Sequence, residues 1–299
     1  MNARVVITRF QLTIVTLVGL FACTRPSTIS GPQIPSTQVS SPESNEKNSL
    51  KSWQISPTSE TQHYSTLVTT TIQQLTTAQA ATDSITTRAR YNLNITQLAS
   101  SVSLTGSVEA FVLQAGNRIS SEAMVSSFPV LFTGQIQNHQ LKLDVISNDH
   151  SATTPTLSCE IPGKTALTMV QRNLFVTPLR LQPGMIWQDS LLSTSCSGSL
   201  ELNLTILRNY KVIGESIFNG TSAIVVDVTE KTLSAGEGSQ DQHRLIIKGE
   251  GLKSGRLYLD QTTGILLSLS SETHTTLQIQ TSGQIQHFLQ TSRETTIRM

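Results

Sequence analysis

The chain has 299 residues, with 21 Lys and Arg against 20 Asp and Glu for a formal net charge of +1, and only 14% of it is charged where soluble domains average about 25%. Ser and Thr take up the difference at roughly a quarter of all residues. A near-neutral chain without Lys/Arg clusters has no electrostatic footprint for nucleic acid. The absence of a second long apolar run excludes a polytopic helical membrane protein, and hydrophobic residues at 37% suffice to build a core.

Residues 1–9 carry Arg4 and Arg9 and no acid, and residues 10–20 form an apolar run. At about eleven residues the run is short of the roughly 20 needed to span a bilayer and matches a secretory h-region. It ends in Leu20, Phe21, Ala22 and Cys23, which resembles the bacterial lipobox. That resemblance implies diacylation of the Cys23 thiol with cleavage before it, so residues 1–22 are expected to be a lipoprotein signal peptide. An ordinary signal peptide with a coincidental cysteine is the alternative. Thr24 follows, not Asp, and by resemblance to the enteric sorting rule this favours the outer over the inner membrane of a bacterial cell envelope. Removing Arg4 and Arg9 leaves 19 basic side chains against 20 acidic ones. Acyl chains contribute about 0.8 kcal/mol per buried CH₂, so the N-terminal lipid would hold the membrane without a polybasic patch.

Residues 23–60 contain Pro26, Pro32, Pro35, Pro42 and Pro57 among many Ser, Gln and Asn. With neither 2.0 nor 3.6 periodicity, this stretch is expected to be a disordered tether. Trp53 is its one aromatic and the residue able to pack back on the body. From Tyr64 onward the pattern is alternation: Tyr91, Leu93 and Ile95; Val102, Leu104 and Val108; Leu141, Leu143 and Val145; then Leu200, Leu202, Leu204 and Ile206. A β-branched run at 223–228 follows the turn signal Asn219-Gly220. Five further short strands are expected between 245 and 290. Short antiparallel strands with one apolar and one Thr/Gln face describe a sheet wetted on one side. One helix is expected over 164–175, after Pro162-Gly163 and before Pro178, with Leu167, Val170, Gln171 and Leu174 at helical spacing. A weaker one is expected over 120–125. Strand and helix content together make the body, residues 61–299, mainly β: a curved antiparallel sheet, half-barrel or sandwich-like, with one or two short helices. Residues 61–150 and 155–299 are either two halves of one sheet, the favoured reading, or two domains.

With Cys23 assigned to lipid, Cys159 and Cys196 are an even pair in a compartment that permits disulfides, and they are expected to bridge. The bridge closes a loop of about 37 residues and contributes roughly 3 to 4 kcal/mol. A redox or metal pair is the alternative, without CxxC spacing or a nearby His to support it.

The run Leu181, Pro183, Gly184, Trp187, Asp189 is followed by Tyr210, Val212 and Gly214, then Phe218 and Gly220, the strand 224–228, and the turn Asp260, Thr263, Gly264. This order resembles a diffuse group of uncharacterised bacterial lipoproteins with curved antiparallel sheets. It is distantly similar to periplasmic lipoprotein carriers and lipid-binding half-barrels, in which a bent sheet closed by helices holds acyl chains. The resemblance implies an apolar concave face, whereas many candidate lining positions here are Thr or Gln.

No catalytic, cofactor-binding or metal-ligating set stands out. GxSxG, GxxxxGK[ST], HExxH and EF-hand loops are absent from the sequence, and the one SxxK match, Ser44 to Lys47, lies in the expected tether. His63, His139, His150, His243, His274 and His287 are dispersed. Asp241 and His243 with Glu237, and Asp149 with His150, read as solvated hairpin tips more readily than as ligands. Lys248, Glu250 and Lys253 read as a solvated strand end. Three Asn-x-Thr matches at Asn94, Asn203 and Asn219 arise readily in Thr/Asn-rich strands. Trp187 reads as a core anchor in preference to a binding platform.

The expectation is therefore a non-enzymatic, lipid-anchored envelope protein without cofactor, whose β body binds an apolar ligand or an envelope partner protein. The alternatives are an assembly module pairing through a sheet edge and, with least support, a hydrolase. A concave face covered by residues 164–175 would favour ligand carriage; a filled core with an uncovered edge would favour assembly.

Overall fold

The computed structural model describes residues 51–75, 82–97, 102–116, 118–119, 129–137, 140–145, 164–197, 200–240 and 243–299. The strands are β1 (Trp53–Gln54), β2 (Gln62–Gln74), β3 (Thr82–Gln97), β4 (Val102–Ala115), β5 (Arg118–Ile119), β6 (Val130–Gln137) and β7 (Gln140–Val145) in the first half. Helix α1 (Lys164–Asn173) follows, and then β8 (Arg180–Leu181), β9 (Ile186–Ser197), β10 (Leu200–Phe218), β11 (Thr221–Gln240), β12 (His243–Asp260), β13 (Leu266–Thr281) and β14 (Gln284–Arg298). The expected helix over 120–125, Cys23, Cys159, His139, His150 and Asp241 lie outside the described residues. So does the side chain of Cys196, whose backbone sits in β9 opposite Glu201.

One antiparallel sheet contains twelve of these strands, in the order β7-β6-β4-β3-β2-β14-β13-β12-β11-β10-β9 with β5 appended to β4. Its first and second halves meet where β2 pairs with β14. The strands are long, at 19 residues in β10 and 20 in β11, against a usual length of about five or six. Strands this long twist and coil, and bulges at Val212/Gly214, Tyr258/Leu259 and Arg90/Tyr91 sharpen the bend. The result is a curled half-barrel. Its two edges, β7 and β9, come within 8 Å of each other at their Cα atoms but share no ladder.

Local chemistry explains the hairpins. Asn219 and Gly220 both take positive φ, 48° and 82°, the two-residue turn that an Asn-Gly pair adopts without strain. In β10, Leu200, Leu202, Leu204, Ile206, Arg208, Tyr210 and Val212 all face the concave side and are buried, while the odd-numbered residues between them face solvent. That is the alternation the sequence predicts.

Helix α1 sits inside this concavity. Residues 166–174 are all buried, including Thr168, Gln171, Arg172 and Asn173, so the helix is enclosed on every side. Leu167, Val170 and Leu174 join the main core, and Met169 packs on Val68 and Ala89. Pro178 comes five residues after the last turn, in which Arg172 places a cation at the negative end of the helix dipole. No helix among the described residues is long and apolar enough to cross a membrane.

Residues 51–60, assigned to the tether by composition, run along the body. Trp53 pairs with Leu181 and Gln54 with Arg180, Ile55 N–H donates to Leu179 C=O, and Ser56 N–H donates to Thr262 C=O. Trp53 and Ile55 are buried. Two apolar side chains and a short ladder offset the ordering entropy of this strap, which proline and serine content alone does not anticipate.

Candidate functional site

The plugged concavity is built in layers, each a row of residues aligned across the strands. Midway along the strands, one row runs Asp189, Arg208, Glu230, Lys253, Thr273, Ser292, Thr70. Its first four members alternate in sign, and Arg208, Glu230 and Lys253 are each about 95% buried or more. Arg208 donates to both oxygens of Asp189, at 2.6 and 3.1 Å, and Tyr210 Oη donates to Asp189 Oδ2 at 3.1 Å. Lys253 Nζ meets Glu294 Oε2 at 2.8 Å.

Helix α1 completes this belt. Arg172 Nη2 donates to Glu230 Oε1 at 2.7 Å, and Arg208 Nη1 donates to the Arg172 carbonyl at 3.0 Å. Gln171 Oε1 accepts from Ser193 Oγ, and Asn173 Nδ2 donates to Thr296 Oγ1. Three cations therefore balance three carboxylates in an interior where an unpaired charge would be costly. Burial by itself would raise the Glu230 carboxyl, but the fields of Arg172, Lys253 and Arg208 outweigh it and hold the group at about 2. The same opposition, with Lys253 as the main cation, holds Glu294 below the usual carboxylate range.

Lys253 thus corrects the expectation of a solvated strand end. Residues 248 and 250 are exposed, but Lys253 shares strand parity with Leu245, Ile247 and Leu257, and so points inward. The even division of faces is corrected too: Thr66, Thr70, Thr232, Thr273, Thr275, Gln290, Ser292 and Thr296 are buried on the concave side, not solvated.

Apolar layers flank the belt. On one side lie Leu200, Leu202, Leu204, Ile247, Leu277, Ile279 and Phe288. On the other runs the row Val212, Val226, Leu257, Leu269, together with Tyr64 and Tyr91, whose rings stack at 5.3 Å. Burial pushes both phenols up, so they stay neutral. A cleft opens into this second layer at the end of the barrel. Residues 55–62 of the strap, residues 173–177 after the helix, and residues 263–266 of the β12–β13 turn form its walls, with Tyr64, Tyr91, Leu93 and Phe175 inside.

Gly264 lets the walls meet. Its φ is +70°, and a Cβ there would lie 2.7 Å from Ile55 Cγ2, so an L side chain would be strained and would displace the strap. The cleft has room for about 80 Å³, less than the roughly 150 Å³ of a cavity that admits benzene. A second void, between Met169, Arg172, Glu294 and neighbouring residues, holds only about 10 Å³. The concavity is filled by its own helix, and a ligand threading its whole length would strip the belt of its partners.

The other expected positions are scattered. Trp187 stacks on Tyr210 with centroids 4.8 Å apart and planes 11° apart, as an anchor would. Glu237 pairs with Arg244, and His243 Nδ1 lies 2.8 Å from Ser282 Oγ at an exposed hairpin end. His63 faces Glu109 at 3.9 Å, and His274 lies near Glu272. Among the described residues no group of three or more His, Cys, Asp or Glu is placed to hold a metal ion. The belt was missed because its members lie far apart in the chain. The available signal was parity, since Arg208, Glu230 and Lys253 each occupy the apolar phase of their strand.

No protein-family profile matches the chain, and no curated protein matches it. Among solved structures, a DUF1329 family protein from Desulfovibrio piger aligns over 78% of this chain and 84% of its own, at 9% identity and a TM-score of 0.14. A likeness of that size carries no argument about function.

Proposed function

We propose that the protein is a lipid-anchored binding module of the bacterial cell envelope, tethered through Cys23, with the outer membrane as its site. In this reading the curled sheet is a non-enzymatic receptor, and the end cleft takes a small apolar group. The observation that carries it is the cleft itself: an apolar opening beside the end of the helix plug, walled by three separate segments of the chain. Its volume and the charged belt behind it favour the end of a ligand over a whole acyl chain enclosed in the concavity. Pairing through a sheet edge has less support, because the edges β7 and β9 face each other within 8 Å.

The test is titration of the full chain carrying Cys23→Ser with the fluorescent fatty acid cis-parinaric acid, whose slender alkyl end suits a cleft of about 80 Å³. Saturable one-site binding is expected, and it should be lost in Ile95→Trp, which fills the cleft from a half-buried position. Unchanged binding in that variant, with far-UV circular dichroism also unchanged, would refute the assignment.

A further inference from the structure

The cleft end of the barrel carries several exposed apolar side chains. The β10–β11 hairpin tip carries Ile217, which at 74% exposure is the most exposed large apolar side chain among the described residues. Ile213 lies on the same strand, and Ile186 in β9 is 62% exposed and pairs in register with Lys211. Leu179, exposed beside β8, extends the apolar rim. Lys211 and Arg180 are exposed within it. The acidic groups of this end are Glu215, which pairs with Lys51, Asp227, which lies opposite Lys211 in register and pairs with Arg256, together with Glu60 and Asp260.

The strap enters the body at this same end. Lys51 is held by Glu215, between Ile213 and Ile217 on β10, and residues 55–62 go on to wall the cleft. From Cys23 to Lys51 there are 28 residues, and a coil of that length has an r.m.s. span of roughly 30 Å. β10 alone extends up to about 60 Å at some 3.3 Å per residue. A chain anchored at Cys23 reaches a membrane easily with the cleft end toward it. With the opposite end toward it, the same segment would have to run back along the barrel, stretched to about twice its r.m.s. span.

We propose that the rim formed by Ile186, Ile213, Ile217 and Leu179, with Lys211 and Arg180, seats on a lipid surface bearing anionic headgroups, so that the cleft opens toward the bilayer. Branched apolar side chains enter the interfacial zone while the two cations meet lipid phosphates. The docking rests on the proposed anchorage at Cys23.

The experiment uses the full chain, expressed with its own N-terminus and reconstituted into vesicles of phosphatidylethanolamine and phosphatidylglycerol at about 3:1. Flotation reports the anchorage, and amide hydrogen exchange reports the docking. Peptides covering 213–221 should exchange at least about three-fold more slowly in the unmodified chain than in Ile186→Ser/Ile217→Ser. Peptides covering the far hairpin at 281–285 should be the same in both, and unchanged exchange in β12 and β13 reports an intact fold. A chain that floats but shows equal exchange at 213–221 in both proteins overturns the docking and leaves the anchorage standing. Protection at the far hairpin instead, or protection at 213–221 that grows with protein concentration at constant lipid and so marks a second copy, also overturns it. A chain that does not float overturns both.

Discussion

Glu230 is the keystone of the belt, and Glu230→Gln tests the whole account of how the helix is held. The substitution keeps shape and removes one negative charge, leaving Arg172, Arg208 and Lys253 to face only Asp189 and Glu294. Breaking a buried pair on one side costs about 3 to 5 kcal/mol. A carboxyl held at about 2 instead of 4.5 corresponds to about 3 kcal/mol at neutral pH, so the two routes agree. Because the folded-state value is depressed, this stabilisation is fully present above about pH 4.5 and is lost as pH falls through about 2. The gap between the unmodified protein and Glu230→Gln should therefore be about 3 kcal/mol or more at pH 7 and narrow by about 2 kcal/mol at pH 3. Urea unfolding followed by circular dichroism at both pH values measures it. A gap under about 1 kcal/mol at pH 7, or one that does not narrow at pH 3, would refute the reasoning. Replacing both partners, as Arg172→Leu/Glu230→Leu, should recover much of the loss, since an apolar pair leaves neither charge stranded.

Thr275 Oγ1 is buried without a hydrogen-bond partner, so Thr275→Val should leave the urea midpoint unchanged or raise it, by up to about 1 kcal/mol; a clear loss would mean the hydroxyl is satisfied in solution. Gly264→Ala should cost about 1 to 3 kcal/mol through its positive φ and its close approach to Ile55, and displacement of the strap should shift Trp53 emission to the red. Burial raises the phenols of Tyr64, Tyr91 and Tyr210, so absorbance at 295 nm should show them ionising only together with alkaline unfolding, not near pH 10 while the circular dichroism is still native.

The second half of the chain was the more legible. Strand β10 announces itself by strict alternation and the Asn219-Gly220 turn by a residue pair whose backbone preference is local, whereas the five short strands expected between 245 and 290 are three long ones, β12 to β14, because their Gly and Ser positions continue the ladder and do not end it. Helix α1 was legible from its apolar spacing and from the prolines on either side. The strap was not, because its ordering depends on Trp53 and Ile55 finding β8 and the β12–β13 turn, neither of which is near in sequence.

By itself, then, the sequence determined the class of the fold: alternation of period two decides which residues share a face, and that is a property of neighbours along the chain. Only the tertiary structure decided what the inner face is made of. Arg172 meets Glu230 across 58 positions and Lys253 meets Glu294 across 41. Strand register and curvature bring these charges into one belt around a buried helix. Curvature also gathers the strap, the end of α1 and the β12–β13 turn into a single cleft, because residues remote in the chain become neighbours only when a long sheet bends back on itself.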